Sequence, residues 1–423
     1  MLSGISAITI GQSHIDNKTE CQDSAILDFN DKYVMGAVAD GHGSKKHFRS
    51  AKGSQFAVEA AKYSIYEYMN DNYEKFVDAY NKDKKYLIDR IIKMLITKWH
   101  EKIQEDINNE PITQEEIDKY LDGNFNEDKI ASIYGTTLLV GVMGEGCNFG
   151  FLIGDGSFVV IDKHGKAYIP IEDENSKANY TTSLSSSDSF NGFVTHFFDE
   201  MPFSIMVSTD GLVKSFGDDN DFLDYNQAIA MELDGLDTRD KRIEMEERLV
   251  RLFEQRSRDG SEDDISISII FNSDAYESVK QGLETRRKLN KIDEQIGLSK
   301  KKIVTLDFKQ KQIENERNIN IENWKKVEIE KLKLNKYNEE LMKKKRVLQE
   351  ELKKIEQQIV SSKITEHQAI IKKAIIEDIK KENEYGIYYY MNLYLHMIFN
   401  KISENSLGII ILTILIITMM YIF

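Results

Sequence analysis

Short apolar runs alternate with longer stretches of helical spacing over the first two thirds of the chain. The runs predict strands at residues 6–10, 24–29, 33–39, 136–142, 148–153, 158–161, 204–208 and 265–271. Apolar residues at helical spacing predict helices at residues 54–69, 86–107 and 241–255. Residues 173–192 are polar and rich in serine, which predicts a surface insertion or flap. Many short strands broken by long helices do not form a βαβ repeat, so the pattern favours an α+β fold with two sheets covered by helices.

Beyond residue 273 the pattern changes to charged residues with an apolar seven-residue repeat. One seam position holds Leu289, Ile296, Ile303, Trp324, Leu352 and Ile359, and the other holds Ile292, Leu306, Ile313, Val327, Leu334, Leu341, Leu348 and Ile355. This seam predicts a coiled coil over residues 274–383, with a homo-oligomer as one consequence. Polar seam residues such as Lys331 and Lys345 leave a single solvated helix as the alternative. One helix over residues 286–382 would measure on the order of 145 Å.

The last residues of the sequence are apolar and uncharged, unlike the charged segment before them. Residues 407–423 carry no charge and are rich in Leu, Ile and Met, which is typical of a short membrane-spanning helix. The tyrosine-rich segment before them suits a membrane interface, so we predict a juxtamembrane segment at 384–404 and a single-pass C-terminal anchor at 405–423. Upstream lysines predict a cytoplasmic catalytic domain. A buried amphipathic hairpin is the alternative, but residues 407–423 offer no polar face.

Charge and cysteine content narrow the class of protein. The 423 residues include 56 basic and 71 acidic ones, for a net charge of −15. This balance argues against a nucleic-acid partner bound by phosphate neutralisation. The 2 cysteines, Cys21 and Cys147, are too few for a disulfide framework, which fits a reducing compartment.

Four acidic motifs, each beside a predicted strand, carry the candidate chemistry. They are Cys21-Gln22-Asp23, Val38-Ala39-Asp40-Gly41-His42-Gly43, Ser208-Thr209-Asp210-Gly211 and Gly260-Ser261-Glu262-Asp263-Asp264-Ile265. Carboxylates without a cysteine cluster suit hard cations such as Mg²⁺ or Mn²⁺. Two such ions can neutralise a phosphoryl group and activate water, and His42 is placed to protonate a leaving group. Taken singly, each Asp-Gly turn is more often structural; their joint occurrence predicts a phosphate-ester hydrolase.

As a set, the motifs resemble the metal-dependent serine/threonine protein phosphatases of type 2C, the PPM family. The matching residues are Gln22-Asp23, Asp40-Gly41-His42-Gly43, Gly135-Thr136-Thr137, Gly154-Asp155-Gly156, Thr209-Asp210-Gly211 and Asp263-Asp264-Ile265-Ser266. Ser44-Lys45 after the glycine-rich turn is similar to the bacterial branch. The resemblance covers residues 1–273 and implies two stacked antiparallel sheets with metals in a cleft at the sheet edges.

The resemblance also implies residue roles. Asp40 would bridge two ions, Mn²⁺ or Mg²⁺, and Gly41 would offer its carbonyl. Asp210 and Asp263 would complete the coordination of one ion, and Asp23 would act near that ion through a water molecule. His42 matches the family's proposed general acid. Gln22, Asp155 and Asp264 would not bind the ions but would position the residues that do.

Three departures from the family pattern concern substrate and metal binding. Gln22 stands before Asp23 where the family often has glutamate, which removes one acidic group near the ligands. Lys18 stands where the family has a phosphate-gripping arginine, and Lys45 or Arg49 could substitute for it. Ser132-Ile133-Tyr134 precede the Gly-Thr-Thr motif where an acidic residue is often linked to a third ion, so the presence of a third ion stays open.

The sequence therefore predicts a membrane-anchored phosphatase whose substrate is a phosphoserine or phosphothreonine protein. The alternative is a membrane-tethered scaffold whose phosphatase-like domain binds phosphoproteins without turnover. Loss of Asp40, Asp210 or Asp263 would favour the scaffold, and all three are present.

Overall fold

A computed structural model describes residues 1–172, 182–236, 238–315 and 321–381. The chain divides into a compact unit, Met1–Ile359, and a second unit, Val360–Phe423. The strands are β1 (Leu2–Thr9), β2 (Asp23–Phe29), β3 (Tyr33–Asp40), β4 (Leu138–Gly144), β5 (Cys147–Ile153), β6 (Ser157–Ile161), β7 (Ala167–Tyr168), β8 (Val194–Phe197), β9 (Ser204–Ser208) and β10 (Ile265–Asn272). The helices are α1 (Gln12–Asn17), α2 (Ser50–Met69), α3 (Tyr73–Lys82), α4 (Lys84–Asn109), α5 (Gln114–Tyr120), α6 (Ile130–Ile133), α7 (Ser189–Gly192), α8 (Asp210–Val213), α9 (Asp219–Met231), α10 (Arg239–Arg256), α11 (Tyr276–Asn315) and α12 (Ile321–Lys381).

The strands form two antiparallel sheets that stack face to face. Sheet A has the order β1-β10-β9-β6-β7, and sheet B has the order β2-β3-β4-β5-β8. Alternation along β3 shows why they stack: Val34 and Val38 face the core between the sheets, whereas Met35 and Ala37 face the helices outside. The sheets approach closely at Gly150, where an added Cβ would lie 2.2 Å from the Phe158 ring.

Helices cover the outer face of each sheet. On sheet B, α2 and α4 complete a core that includes Trp99, whose indole N–H donates to the Gly53 carbonyl at 3.0 Å. On sheet A, α9, α10 and the start of α11 complete a second core. The predicted α+β fold of two helix-covered antiparallel sheets is thereby confirmed.

The predicted elements locate most of this architecture and miss some of it. Each predicted strand overlaps an observed one, and the helices at 54–69, 86–107 and 241–255 correspond to α2, α4 and α10. The sequence patterns missed β7, β8, α3 and α9, and also the short helices α1, α5, α6, α7 and α8. Of the predicted flap, residues 173–181 lie outside the described residues, and Ser189–Gly192 forms α7.

The described residues after the catalytic region form two long antiparallel helices, so they do not form the one continuous helix considered for residues 286–382. Ion pairs join early α11 to late α12 and late α11 to early α12, namely Arg286–Glu356, Asp293–Lys345, Lys302–Glu330 and Asp307–Lys331. Seam residues Leu306, Ile313 and Val327 pack on each other inside this pair. We call α11 and α12 up to residue 359 the hairpin; the apolar seam is covered within one chain.

The hairpin joins the sandwich without a linker. Asn272 caps the turn Ser273–Ala275 by accepting from the Asp274 N–H at 3.2 Å, and α11 starts directly afterwards. Val279 and Leu283 of α11 are fully buried in the core under sheet A. A domain boundary drawn at residue 273 would therefore separate these side chains from the core that they complete.

The predicted membrane segments lie beyond the described part of the chain. Within residues 1–172, 182–236, 238–315 and 321–381, no helix combines the length and hydropathy needed to cross a bilayer. The juxtamembrane segment at 384–404 and the anchor at 405–423 are outside these ranges.

Candidate active site

The strands of sheet B bring two of the predicted aspartates together at one edge. Asp23 begins β2 and Asp40 ends β3, and the antiparallel register places them directly opposite each other. The end of β3 is fixed through its backbone: the Asp40 N–H donates to the Thr137 hydroxyl oxygen at 3.0 Å, and the Asp40 carbonyl accepts from the Thr136 hydroxyl at 2.9 Å. Asp40 is thus held at the sheet edge by main-chain contacts, which leaves its carboxylate available.

Sheet A supplies the remaining acidic motifs at its adjoining edge. Asp210 starts the short helix α8 just after β9, and Asp263 and Asp264 immediately precede β10, the neighbour of β9. The two segments touch at Gly211, where an added Cβ would lie 2.0 Å from the Asp264 carbonyl oxygen. Thr209 then links the two sheets, because its hydroxyl donates to Asp23 Oδ2 at 2.7 Å.

A cavity of about 200 Å³ opens between these edges. It is lined by His14, Gln22, Asp40, Gly41, His42, Gly43, Thr137, Asp155, Asp210, Lys214, Asp263 and Asp264. All four acidic motifs therefore contribute to one site. Asp23 lies behind this lining, at the Thr209 hydroxyl.

The cavity concentrates negative charge in a poorly solvated place. Burial raises the pKa of Asp40 well above its ordinary value, and Asp23, Asp210, Asp263 and Asp155 raise it further. Burial likewise raises the pKa of Asp210, although Lys214 opposes the shift. Such mutual repulsion among carboxylates is relieved by bound cations or by protons.

The donor atoms fit hard divalent cations. Asp210 is 6% exposed, and its Oδ1 has no hydrogen-bond partner among the described residues. A buried carboxylate oxygen without a partner is costly unless a ligand satisfies it. Within the described ranges, no group of three or more His, Cys, Asp or Glu side chains is already arranged to hold an ion. The donor set therefore suits Mg²⁺ or Mn²⁺ chemically, and the side chains would have to adjust around an ion.

The neighbouring Asp263 and Asp264 point to different surroundings. The Asp264 carboxylate accepts from the Gly11 and Gln22 N–H groups, each at 2.6 Å, and from His14 Nδ1 at 2.8 Å. It ties the α1 segment to the motif that contains Asp23. Asp263 is instead 41% exposed and lies 3.7 Å from Lys214 Nζ.

His42 enters the cavity from the turn after β3. Its backbone N–H donates to the Gly135 carbonyl at 3.0 Å, and its Nε2 lies 2.8 Å from the Ser183 hydroxyl. Burial, followed by the neighbouring His47, lowers the pKa of His42 to about 4, whereas Asp155 acts in the opposite direction. The imidazole is therefore neutral at pH 7 in this state.

The lysines predicted to bind phosphate do not line the cavity. Lys18 ends α1 in the left-handed conformation with an exposed side chain, and Lys45 is 59% exposed and pairs with Asp122 at 3.3 Å. The alternative, Arg49, is buried against Asp106, Glu116 and Tyr134, where it holds helices together.

Three lining or adjoining residues were missed by the sequence reasoning. His14 reaches the site because α1 lies in front of the motif with Gln22, and Ser183 reaches it through His42. Lys214 lies one helical turn after Asp210, and its Nζ is 2.5 Å from Asp210 Oδ2. Of the three, only Lys214 could have been predicted from the sequence. It lies four residues after Asp210, and side chains at that spacing face each other on a helix.

Comparisons with known proteins identify the family of the chain. A family model described as Protein phosphatase 2C matches residues 10–254, more than half of the chain, and includes each predicted site residue except Asp263 and Asp264. A search of curated proteins gives no match.

Three of the solved structures that are similar to this chain illustrate the extent of the likeness. The S. agalactiae serine/threonine phosphatase has 16% identity and a TM-score of 0.39, covering 64% of this chain and 99% of that one. The catalytic domain of the serine threonine protein phosphatase PstP, in complex with 2 manganese ions, has 13% identity and a TM-score of 0.38, covering 64% and 97%. PppA, a key regulatory component of T6SS in Pseudomonas aeruginosa, has 16% identity and a TM-score of 0.41, covering 64% and 97%.

Proposed function

The chain belongs to the protein phosphatase 2C family and is a protein serine/threonine phosphatase, and we propose that it works with two divalent ions while tethered to a membrane. One observation carries the proposed chemistry. Asp40, Asp210 and Asp263, from two sheets and distant parts of the chain, line one small cavity together with His42.

The residues that would hold the ions are those of the sequence prediction. Asp40 would bridge both ions and Gly41 would offer its carbonyl, with Asp210 and Asp263 on one ion and Asp23 acting through water. The orphaned Oδ1 of Asp210 supports this assignment. When bound, Mn²⁺ or Mg²⁺ would neutralise the phosphoryl oxygens and lower the pKa of the attacking water.

The protein's own residues then position the reactants. A water attacks phosphorus in line with the bond to the serine or threonine oxygen, the new P–O bond forms, and the old one breaks. The departing alkoxide needs a proton, and His42, which lines the cavity, would give it. Ser183 orients the ring through the 2.8 Å contact at Nε2.

Donation by His42 requires the imidazole to carry a second proton. Burial and His47 work against this, and Asp155 works for it. The phosphate dianion of a bound substrate adds negative charge beside the ring. Like Asp155, it would therefore shift the pKa of His42 upward. Protonation of His42 would thus be coupled to substrate binding.

Hydrolysis of a phosphothreonine peptide by the full-length protein tests the proposed chemistry. Mn²⁺ should give turnover that EDTA removes and added Mn²⁺ restores. The scaffold alternative predicts a different pair of results, namely retention of the phosphopeptide in a binding assay with no phosphate release at any Mn²⁺ concentration.

We further propose that residues 405–423 anchor the protein and leave the catalytic domain in the cytoplasm. The proposal rests on the uncharged run 407–423 and the lysines upstream of it. Truncation after Glu404 should release the protein from membranes without lowering its specific activity. Recovery of the full-length protein in the soluble fraction after carbonate extraction would contradict an integral anchor.

The proposed homo-oligomer cannot use the apolar seam as first envisaged, because Leu306, Ile313 and Val327 pack within one hairpin. The outer face of the hairpin offers other apolar residues, among them Val304 and Phe308, which are 67% and 64% exposed. We therefore propose that any self-association uses this outer face. Sedimentation of wild type and of Phe308→Ser tests it, since an outer-face contact predicts a lower mass for the variant.

A further inference from the structure

The cavity contains a lysine that the proposed chemistry does not use. Lys214 directly follows α8, and its Nζ lies 2.5 Å from Asp210 Oδ2 and 3.7 Å from Asp263 Oδ2. Among the described residues that line the cavity, five are aspartates, and Lys214 supplies an ammonium group. The ammonium therefore contacts the two carboxylates that are assigned above as ligands of one ion.

This contact differs from an ordinary surface ion pair. Exposed pairs four residues apart on a helix contribute little, because water screens both charges. Here the Asp210 side chain is 8% exposed, and Asp263 comes from a different segment of the chain. The ammonium therefore joins two separate elements at the point where they meet.

We propose that Lys214 is a tethered cation that occupies one cation position between Asp210 and Asp263 and competes there with a divalent ion. The inference rests on the proposed metal centre and goes beyond it, since it assigns to this chain a residue that sets how tightly the site binds metal.

Competition follows from the geometry of the oxygens. An ion at coordination distance, roughly 2.0–2.2 Å from oxygen, cannot share the space that the ammonium fills. Lys214 must leave before Asp210 Oδ2 can bind the ion. Its side chain is 55% exposed, so it can swing toward solvent when it is displaced. Without metal, the same ammonium offsets repulsion between the two carboxylates.

Mn²⁺ binding to the full-length protein tests the proposal directly, by calorimetry or by loss of the free Mn²⁺ electron paramagnetic resonance signal. Lys214→Met removes the charge and keeps much of the chain length. We expect it to bind Mn²⁺ at least about tenfold more tightly than wild type, or to bind one more ion. Lys214→Arg should stay close to wild type because it keeps the positive charge.

A matched control is available on the same domain. Lys62 forms an ion pair with Asp28 at 3.1 Å and is 42% exposed, yet it lies away from the cavity. Lys62→Met should leave Mn²⁺ affinity unchanged. In EDTA, Lys214→Met should melt at a lower temperature than Lys62→Met, and Mn²⁺ should raise its melting temperature by more.

The outcomes separate this inference from the proposed function. If Lys214→Met, folded by circular dichroism, binds Mn²⁺ within twofold of wild type and with the same stoichiometry, or binds it more weakly, the inference is overturned while wild-type turnover stands. If wild type binds no Mn²⁺, the proposed metal centre itself fails. Lys214→Gln repeats the test should the methionine variant not fold, with the same two readouts deciding.

Discussion

The β-sandwich and the hairpin bury their residues to different depths. Each residue of β4, β5, β6 and β9 is buried, because both sheets are covered on both faces. The hairpin buries a narrow stripe that contains Leu306, Ile313 and Val327, while Val304 and Phe308 on either side of Leu306 stay exposed. The sandwich is therefore a rigid frame on two cores, whereas one apolar stripe and exposed ion pairs hold the hairpin.

The two regions also treat charge differently. In the hairpin, opposite charges pair across the helices, as in Lys302–Glu330 and Asp307–Lys331. In the cavity, Asp40, Asp155, Asp210 and Asp263 share one small volume. Like charges held this close cost free energy, which the packing of the surrounding sandwich must offset. The excess of like charge in the cavity, which Lys214 offsets only in part, therefore distinguishes the candidate active site from the hairpin.

The largest expected effect separates an aspartate of the cavity from one of the hairpin. Asp40→Asn should reduce phosphatase activity to background, because changes behind metal ligands alone cost about 10–100-fold and Asp40 is a proposed ligand itself. Asp293→Asn, which breaks the ion pair with Lys345, should leave kcat unchanged. Phosphate release from a phosphothreonine peptide measures both. A fully active Asp40→Asn would remove the bridging role.

Asp263 and Asp264 sharpen the same contrast within one motif. Asp263→Asn should also reduce activity to background, whereas Asp264→Asn should cost roughly 10–100-fold, since Asp264 acts by fixing Gly11, Gln22 and His14. Kinetics of both variants at saturating Mn²⁺ decide this order. An inactive Asp264→Asn beside an active Asp263→Asn would reverse the assignment.

His42 should show an effect that depends on the leaving group. His42→Ala should slow hydrolysis of a phosphoserine peptide about 10²-fold and that of p-nitrophenyl phosphate far less, because nitrophenolate departs without a proton. Paired kcat/KM values for the two substrates provide the measurement. Equal losses on both would indicate a structural role through Ser183 instead.

These contrasts also show what the sequence can predict. Asp40 and Asp210 could be located because each ends an apolar strand and stands beside glycine, which are local signals. Lys18 was predicted to bind phosphate, but it does not line the cavity. It lies at the end of α1 in the left-handed conformation, and motif spacing does not encode that backbone geometry.

The hairpin illustrates the second limit. A heptad seam states which residues are buried, and Leu306, Ile313 and Val327 are indeed buried. It does not state whether the partner helix comes from another chain or from the same chain folded back. The contact of Ser183 with His42 could not be predicted from the sequence either, because only tertiary packing brings the two residues together.

Matched core substitutions measure the difference in burial. Ile205, between the sheets, is fully buried, and Ile313, in the hairpin, is 8% exposed. Ile205→Ala should destabilise by about 3–5 kcal/mol, near the upper end for such changes, and Ile313→Ala by about 2 kcal/mol or less. Urea unfolding followed by circular dichroism compares them. Equal losses would show that the hairpin core is as tightly packed as the sandwich.

The smallest expected effect is a pH dependence of the difference in melting temperature between EDTA and Mn²⁺, which the carboxylates of the cavity should produce. Folding raises the pKa of Asp23, Asp40 and Asp210 above the ordinary value of 3.8. The folded state therefore holds more protons than the unfolded state, so this contribution is present at low pH and is lost as pH rises above about 4 through the raised pKa values. In EDTA, the melting temperature should fall relative to that in Mn²⁺ as pH increases. A gap between the two that does not change with pH would contradict the charge crowding.

Crystals of the protein grown with Mn²⁺ and measured at the manganese absorption edge test the central claim most directly. Two anomalous peaks should lie in the cavity, both within coordination distance of Asp40, with Asp210 and Asp263 on one of them. Lys214 should then have moved away from Asp210. A cavity without anomalous density at saturating Mn²⁺, or peaks bound away from Asp40, would contradict a two-ion phosphatase site.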